Sequence, residues 1–294
     1  MEIQQLRSFR AVASLLSFNK AADRLHYAQS SISAQIRSLE EELDVQLFDR
    51  LGKRIQLTES GMLLLEYANK ILDMVDESKS LIRTKEPVGS LTIRIPETLG
   101  VHRLPPVLKA FHAKFPKVQL NLISCTLEGL NKDLHKGVTD LAFLLAESMS
   151  SSDLEMETVG FESLVLVANP EHPLSAKRTV HTRDLSGATI LLSRLSCGYK
   201  SIFEQMLKDE EVYDYVKFEC SSVEVIKSNV MNGLGISILP EVAVAEEVGS
   251  KRLVILPWSE GGIDVAILMI WLRDRWMSPT LQAFMEVARA LLKR

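Results

Sequence analysis

Residues 17–43, SFNKAADRLHYAQSSISAQIRSLEEEL, constrain the fold more than any other stretch, because they read as helix, tight turn, helix. Ala21, Ala22 and Leu25 mark the buried side of the first helix, and His26-Tyr27-Ala28-Gln29 is the break. Ser30 or Ser31 is the expected N-cap of the second helix. Ile32, Ile36, Leu39 and Leu43 then recur at spacings of four, three and four, which is one apolar helical face. Gln29, Ser30, Ser31, Ser33, Gln35 and Arg37 project from its start and its opposite side. Short or forked hydrogen-bonding side chains suit base edges and phosphates in a major groove. An ordinary helical hairpin with a polar outer face would read the same way in isolation, so the flanking sequence decides.

Ile3, Leu6, Phe9, Ala13 and Leu16 share one face of an opening helix that completes a three-helix core. After Leu43, Val45 to Arg50 and Ile55 to Leu57 read as strands joined by a turn at Leu51-Gly52-Lys53-Arg54, a wing. Arg50, Lys53 and Arg54 are placed to meet phosphate or the minor groove. Residues 1–60 hold 8 Lys+Arg and 8 Asp+Glu, so any phosphate contact comes from a basic face and not from a basic domain. Thr58 is read as the cap of a long helix to about Thr84, where Leu64, Ala68, Ile71, Val75, Ser78 and Ile82 form a coiled-coil seam.

Ala21-Ala22-x-x-Leu25, Gln29-Ser30-Ser31-Ile32-Ser33, Ile36-x-x-Leu39-Glu40, Leu43, Leu47-Phe48-x-Arg50 and Leu57-Thr58-x-x-Gly61 together resemble the amino-terminal signature of LysR-type transcriptional regulators. One departure is Asp44, where the family usually has Gly; Asp also tolerates turn conformations. The resemblance implies that the linker helix pairs antiparallel with that of a second subunit, that tetramers form, and that double-stranded promoter DNA, a small-molecule effector and RNA polymerase are partners.

Beyond Glu86-Pro87-Val88-Gly89-Ser90 the period changes. Strand-like runs at 91–95, 118–124 and 140–145 alternate with helical runs at 104–115 and 127–136, and a second such unit starts near Phe161. This order implies parallel sheet with helices on its faces. The expected fold class is α/β, with an N-terminal all-α winged helix-turn-helix and a C-terminal two-lobed effector domain like a periplasmic binding protein. The expected domains are residues 1–58 for DNA binding, 59–86 for the linker helix and 87–294 for effector binding, with lobe I at 91–160 and 266–294 and lobe II at 161–265.

Ligands of two-lobed α/β domains sit where strand ends meet helix starts. That places Thr98, Thr126, Ser193, Cys197 and Ser222 in the expected effector site; Thr98 and Thr126 match positions where the family commonly holds a ligand carboxylate. Simple helix capping is the competing role of each. Glu97 complicates an anionic effector unless Arg194 or Lys200 pairs with it. Cys197 precedes a helix, with Lys200 one turn on, and its location resembles the reactive cysteine of the family's peroxide-sensing branch. That branch's resolving cysteine would fall near Met206 and Leu207, where none stands, so redox sensing through Cys197 is the alternative.

Catalytic and metal residues are not expected: the 6 histidines are dispersed, and no nucleophile or phosphate-loop motif is present. The 3 cysteines contain no C-x-x-C pair, no secretory signal is visible, and the apolar run 265–272 is too short to span a bilayer, so the expected location is cytoplasmic. With 46% hydrophobic and 24% charged residues and a net charge of -4, the chain reads as a soluble globular protein. The function read from this is a ligand-responsive transcriptional regulator with no resident cofactor. A cytoplasmic small-molecule-binding module is the other class left open.

Overall fold

The computed structural model describes the chain except residues 52–53, 85–86, 125–128, 147–150, 195–197, 261–262 and 294, and except the side chains of 50, 51, 54, 77, 80, 81, 83 and 84. The chain forms two compact units, Met1–Ser90 and Leu91–Arg294.

The first unit runs α1 (Ile3–Leu15), α2 (Phe18–Leu25), α3 (Gln29–Leu43), β1 (Phe48–Leu51), β2 (Arg54–Leu57) and α4 (Glu59–Thr84). Its core joins Leu6, Phe9 and Val12 of α1 to Ala21 and Ala22 of α2, to Ile32, Ile36 and Leu39 of α3, and to Ala68 and Leu72 of α4. Phe48 closes it, with ring centroids 5.4 Å from Phe9 and 5.8 Å from Phe18. Each such large apolar side chain contributes about 1.5–3 kcal/mol when fully buried. Ile3 and Leu16 stay exposed at 38% and 50%, so the apolar face of α1 is Leu6, Phe9, Val12 and Ala13. Asp44 ends α3 in the left-handed region at φ 52°, the conformation that Gly would take without strain.

Two side chains tie the wing to the helices. Glu40 Oε1 accepts from the backbone N–H of Leu47 at 2.8 Å. Thr58 Oγ1 accepts from the Gly61 N–H at 2.9 Å, so Thr58 caps α4, and the same hydroxyl donates to the Gln46 carbonyl at 2.7 Å. Gly61 lies so close to β1 that a Cβ there would stand 2.1 Å from the Leu47 carbonyl oxygen.

The inner side of α4 packs on its own unit through Leu64, Leu65, Ala68, Ile71 and Leu72. Much of the predicted coiled-coil seam is therefore core, and a second apolar stripe of Met62, Leu63, Tyr67 and Met74 is left exposed.

The second unit contains β3 (Gly89–Ile95), α5 (Glu97–His102), α6 (Pro105–Lys114), β4 (Val118–Ser124), α7 (Leu130–His135), β5 (Leu141–Ala146), β6 (Leu154–Ala168), β7 (Thr189–Ser193), α8 (Tyr199–Asp209), β8 (Val216–Cys220), α9 (Val223–Met231), β9 (Ile236–Pro240), α10 (Glu241–Gly249), β10 (Val254–Ile255), β11 (Ile263–Leu272) and α11 (Pro279–Leu292). The strands form one sheet in the order β4-β3-β5-β11-β6-β9-β7-β8, with β10 beside β6. Near the ends β3 pairs parallel with β5, and β7 pairs parallel with β8 and β9. In the middle β11 runs antiparallel to both β5 and β6.

The sequence places lobe boundaries at 160/161 and 265/266. Both fall inside strands, β6 and β11, and the two lobes are halves of one sheet. β6 is longer than its sequence suggests because Glu155, Glu157 and Glu162 interrupt its apolar pattern. A register shift between Ile267 and Leu268 lies opposite Gly160 in this central pair.

Candidate DNA-reading and ligand-binding sites

Local backbone chemistry fixes the helix-turn-helix. Ser17 caps α2 by accepting from the Lys20 N–H at 3.3 Å. His26 ends α2 in the left-handed region at φ 57°, and the Tyr27 N–H closes on the Ala22 carbonyl at 2.9 Å. The chain is thereby ready to restart as a helix earlier than expected. The N-cap of α3 is Ala28 and not Ser30 or Ser31, and the Ser31 N–H already bonds the Ala28 carbonyl at 3.0 Å.

Ile32, Ile36 and Leu39 are fully buried, which fixes the rotation of α3 about its axis. Gln29, Ser30 and Arg37 are exposed as a result, and Ser31 and Ser33 are half-buried. Gln29 Nε2 donates to Ser33 Oγ at 2.8 Å, so these two present a paired polar edge. Gln35 departs from the prediction. Its Oε1 accepts from the buried Ser8 hydroxyl of α1, which turns the amide inward and makes it a packing group. Sequence spacing alone could not show this, because Ser8 is 27 positions away. Exposed Tyr27, in the turn, joins the polar surface without having been predicted. The side chains of Arg50 and Arg54, and the whole of Lys53, lie outside the described residues.

In the second unit a cleft opens where the two halves of the sheet meet helix starts. One side is lined by Pro96, Glu97, Thr98 and Ser124; the other by Ser193, Tyr199, Ser221 and Val223. The space it encloses is small, about 30 Å³. Thr98 and Ser193 are therefore brought together as expected, whereas Thr126 and Cys197 lie outside the described residues. Tyr199 was not predicted. It starts α8 and is 4% exposed. Gly198 before it has φ 102°, and a Cβ there would stand 2.2 Å from the Leu145 carbonyl oxygen, so only glycine lets α8 start this close to β5.

Ser222 is the N-cap residue of α9, but its hydroxyl does not cap that helix. It donates across the cleft to Glu97 Oε1 at 3.0 Å, and the Val223 N–H donates to Glu97 Oε2 at 2.8 Å. The partners expected for Glu97 are thus corrected. Lys200 is bonded to Glu219 instead, and Arg194 lies exposed outside the cleft lining. Lys200 and Lys217 together hold the Glu219 carboxyl below its ordinary range.

Behind the cleft a charged cluster joins α5, α9 and α10. Lys227 is 5% exposed, bonds Glu224 at 2.8 Å and Glu247 at 3.0 Å, and donates to the Ala243 carbonyl at 3.0 Å. Burial opposes its charge, but these carboxylates outweigh burial and raise its pKa. His102 nearby is lowered, first by burial and then by Lys227. Among the described residues no three His, Cys, Asp or Glu side chains converge as a metal site would require, and no helix is long and apolar enough to cross a membrane.

One unit is a winged helix-turn-helix, the architecture of a DNA reader, and the other is an α/β unit with a cleft between the halves of its sheet. Residues 3–62 match the model described as bacterial regulatory helix-turn-helix protein, lysR family, and residues 84–293 match the LysR substrate binding domain. The chain belongs to the LysR family of DNA-binding transcriptional regulators.

It is 37% identical to the HTH-type transcriptional regulator YwqM of Bacillus subtilis (strain 168), covering 100% of both chains. It is 32% identical to the regulator CzcR of the same strain, over 97% of this chain and 96% of that one. Among solved structures, full-length CbnR complexed with its target DNA superposes with TM-score 0.70 at 24% identity, covering 99% of each chain. Full-length BenM superposes with TM-score 0.58 at 26% identity, covering 99% of this chain and 96% of that one.

Proposed function

We propose that this regulator reads promoter DNA through the exposed start of α3 and is switched by a small molecule in the cleft of its second unit. The observation that carries the first half is the rotation of α3. Burial of Ile32, Ile36 and Leu39 leaves Gln29, Ser30 and Arg37 facing outward, with Ser31 and Ser33 at their flank. A helix inserted in a major groove needs that polar edge. The second half is supported by a cleft lined from both halves of the sheet.

Two copies are required to read a palindrome at fixed half-site spacing. The exposed stripe of Met62, Leu63, Tyr67 and Met74 on α4 supports self-association there, and the assembled form is a dimer or a tetramer made of two such dimers. The chain works in the cytoplasm as a non-enzymatic switch that carries no cofactor. The effector shifts the population of assemblies, hence the bend of the promoter and its use by RNA polymerase.

The test is selection of bound genomic fragments by the purified chain, followed by titration of the winner against salt. A palindrome is expected, with Ser33→Ala and Gln29→Ala weakening specific binding by about 1–3 kcal/mol and non-specific binding much less. Equal losses for both kinds of DNA would remove α3 from base reading.

A further inference from the structure

The ligand cleft carries a negative charge of its own. Glu97 opens α5 on one side, and its two oxygens accept from Ser222 Oγ and the Val223 N–H at the start of α9 on the other. Donors at a helix start are the groups that draw a free anion. Here the chain supplies that anion from 126 residues away.

No cation of the described cleft lining offsets it, since Glu97 is the one acidic or basic residue there. Lys200, Arg103 and Lys227 are engaged with Glu219, Glu162, and Glu224 and Glu247, and Arg194, next to Ser193, lies exposed outside the lining. A carboxylate ligand at the start of α9 would have to displace Glu97, which would set two like charges in one cleft.

Acceptors are plentiful. Each Glu97 oxygen has used one lone pair and keeps another. The Thr98 hydroxyl, on a residue 4% exposed, has no hydrogen-bond partner among the described residues, and neither do the Ser124 and Ser221 hydroxyls.

We infer that the ligand of this cleft is a small ammonium or guanidinium compound, whose N–H groups bond Glu97 and the hydroxyls of Thr98, Ser124 and Ser221. This rests on the reading of the cleft as the effector site. The cation leaves the bridge between the two sides in place, because Glu97 holds Ser222 and Val223 with one set of lone pairs and the ligand with the other.

The test uses the full chain and two probes of matched length, 1,4-diaminobutane and succinate, titrated calorimetrically at neutral pH and low salt. Saturable binding of the diamine is expected, with none of succinate at about ten times the concentration. Glu97→Gln should lower diamine affinity about tenfold to a hundredfold, because a charge-assisted hydrogen bond is lost. Thr98→Val should lower it less, and Glu97→Asp, which keeps the charge, should retain part of it. Tryptophan fluorescence and circular dichroism of each variant establish that it is folded. Diamine affinity unchanged in both Glu97→Gln and Thr98→Val overturns the inference, as does succinate binding the unaltered chain as well as the diamine does. If succinate alone binds, and only after Glu97→Gln, the ligand class is overturned while the cleft stands as the effector site. If neither probe binds any of the proteins, both readings are overturned.

Discussion

Gly61→Ala puts two rules in direct conflict. By helix propensity alone, alanine inside α4 is better than glycine by about 0.8–1 kcal/mol. The structure requires the opposite sign. The added methyl would stand 2.1 Å from the Leu47 carbonyl oxygen and 2.9 Å from Leu57 Cδ2. The first contact is about 1.3 Å short of ordinary van der Waals separation, and the obstacle is backbone. That carbonyl cannot retreat freely, because it accepts from the Thr58 N–H at 3.1 Å while the Leu47 N–H is held by Glu40. Moving α4 instead strains the Thr58 cap, worth about 1 kcal/mol. Overpacking of this kind costs about 1–3 kcal/mol. The net expectation is a loss of about 1–3 kcal/mol confined to the first unit. All 3 tryptophans, Trp258, Trp271 and Trp276, lie in the second unit, so their fluorescence reports that unit alone. Hydrogen exchange of peptides from α3 and α4, followed through urea, reports the first. A variant as stable as the parent or more stable would refute the close-contact argument.

Other expectations concern the second unit. Lys227→Met should destabilise it by about 3–5 kcal/mol, because Glu247, 6% exposed, is left as a buried charge without its main partner; adding Glu247→Leu should restore most of the loss in the same urea titration. His102 and His172 are both held below the ordinary value of 6.5 by burial, with Lys227 adding to the effect at His102. A histidine whose folded pKa is the lower one binds fewer protons when folded, so its full contribution stands above 6.5 and stability falls as pH drops through that value. His102→Gln should flatten this acid limb of the unfolding free energy against pH, and an unchanged limb would remove His102 from it.

Much of the first unit was legible because its information is local. The four-three spacing of Ile32, Ile36 and Leu39 gave the buried face of α3, and Thr58 with Gly61 gave the start of α4. The onset of α3 was misread because serines advertise caps, whereas the helix start was set upstream by the left-handed turn at His26. Gln35 was misread because its partner is on another helix. In the second unit α10 is not legible in the sequence, since Glu241-Val-Ala-Val-Ala alternates as a strand would and follows a strand and a proline. The Glu97 bridge was beyond local reading altogether. A carboxylate in a cleft repels or pairs according to what folding brings to it, and its partners lie more than a hundred residues on.

The central pair of strands sets how the cleft can respond. β6 and β11 lie side by side over the whole length of β11, and each serves both halves of the sheet. Two strands bonded along their length resist shear and stretching, because either would break a row of hydrogen bonds together. Twist about their common axis leaves the row intact, and strands are twisted to begin with. The lobes are therefore connected by a torsion spring, not by a door hinge. A ligand that filled the cleft would wind that spring by an angle, and an angle grows into distance with the length of the arm that carries it. A ligand that moves side chains by a fraction of their own size can in this way rotate whatever is attached to the far edges of the sheet.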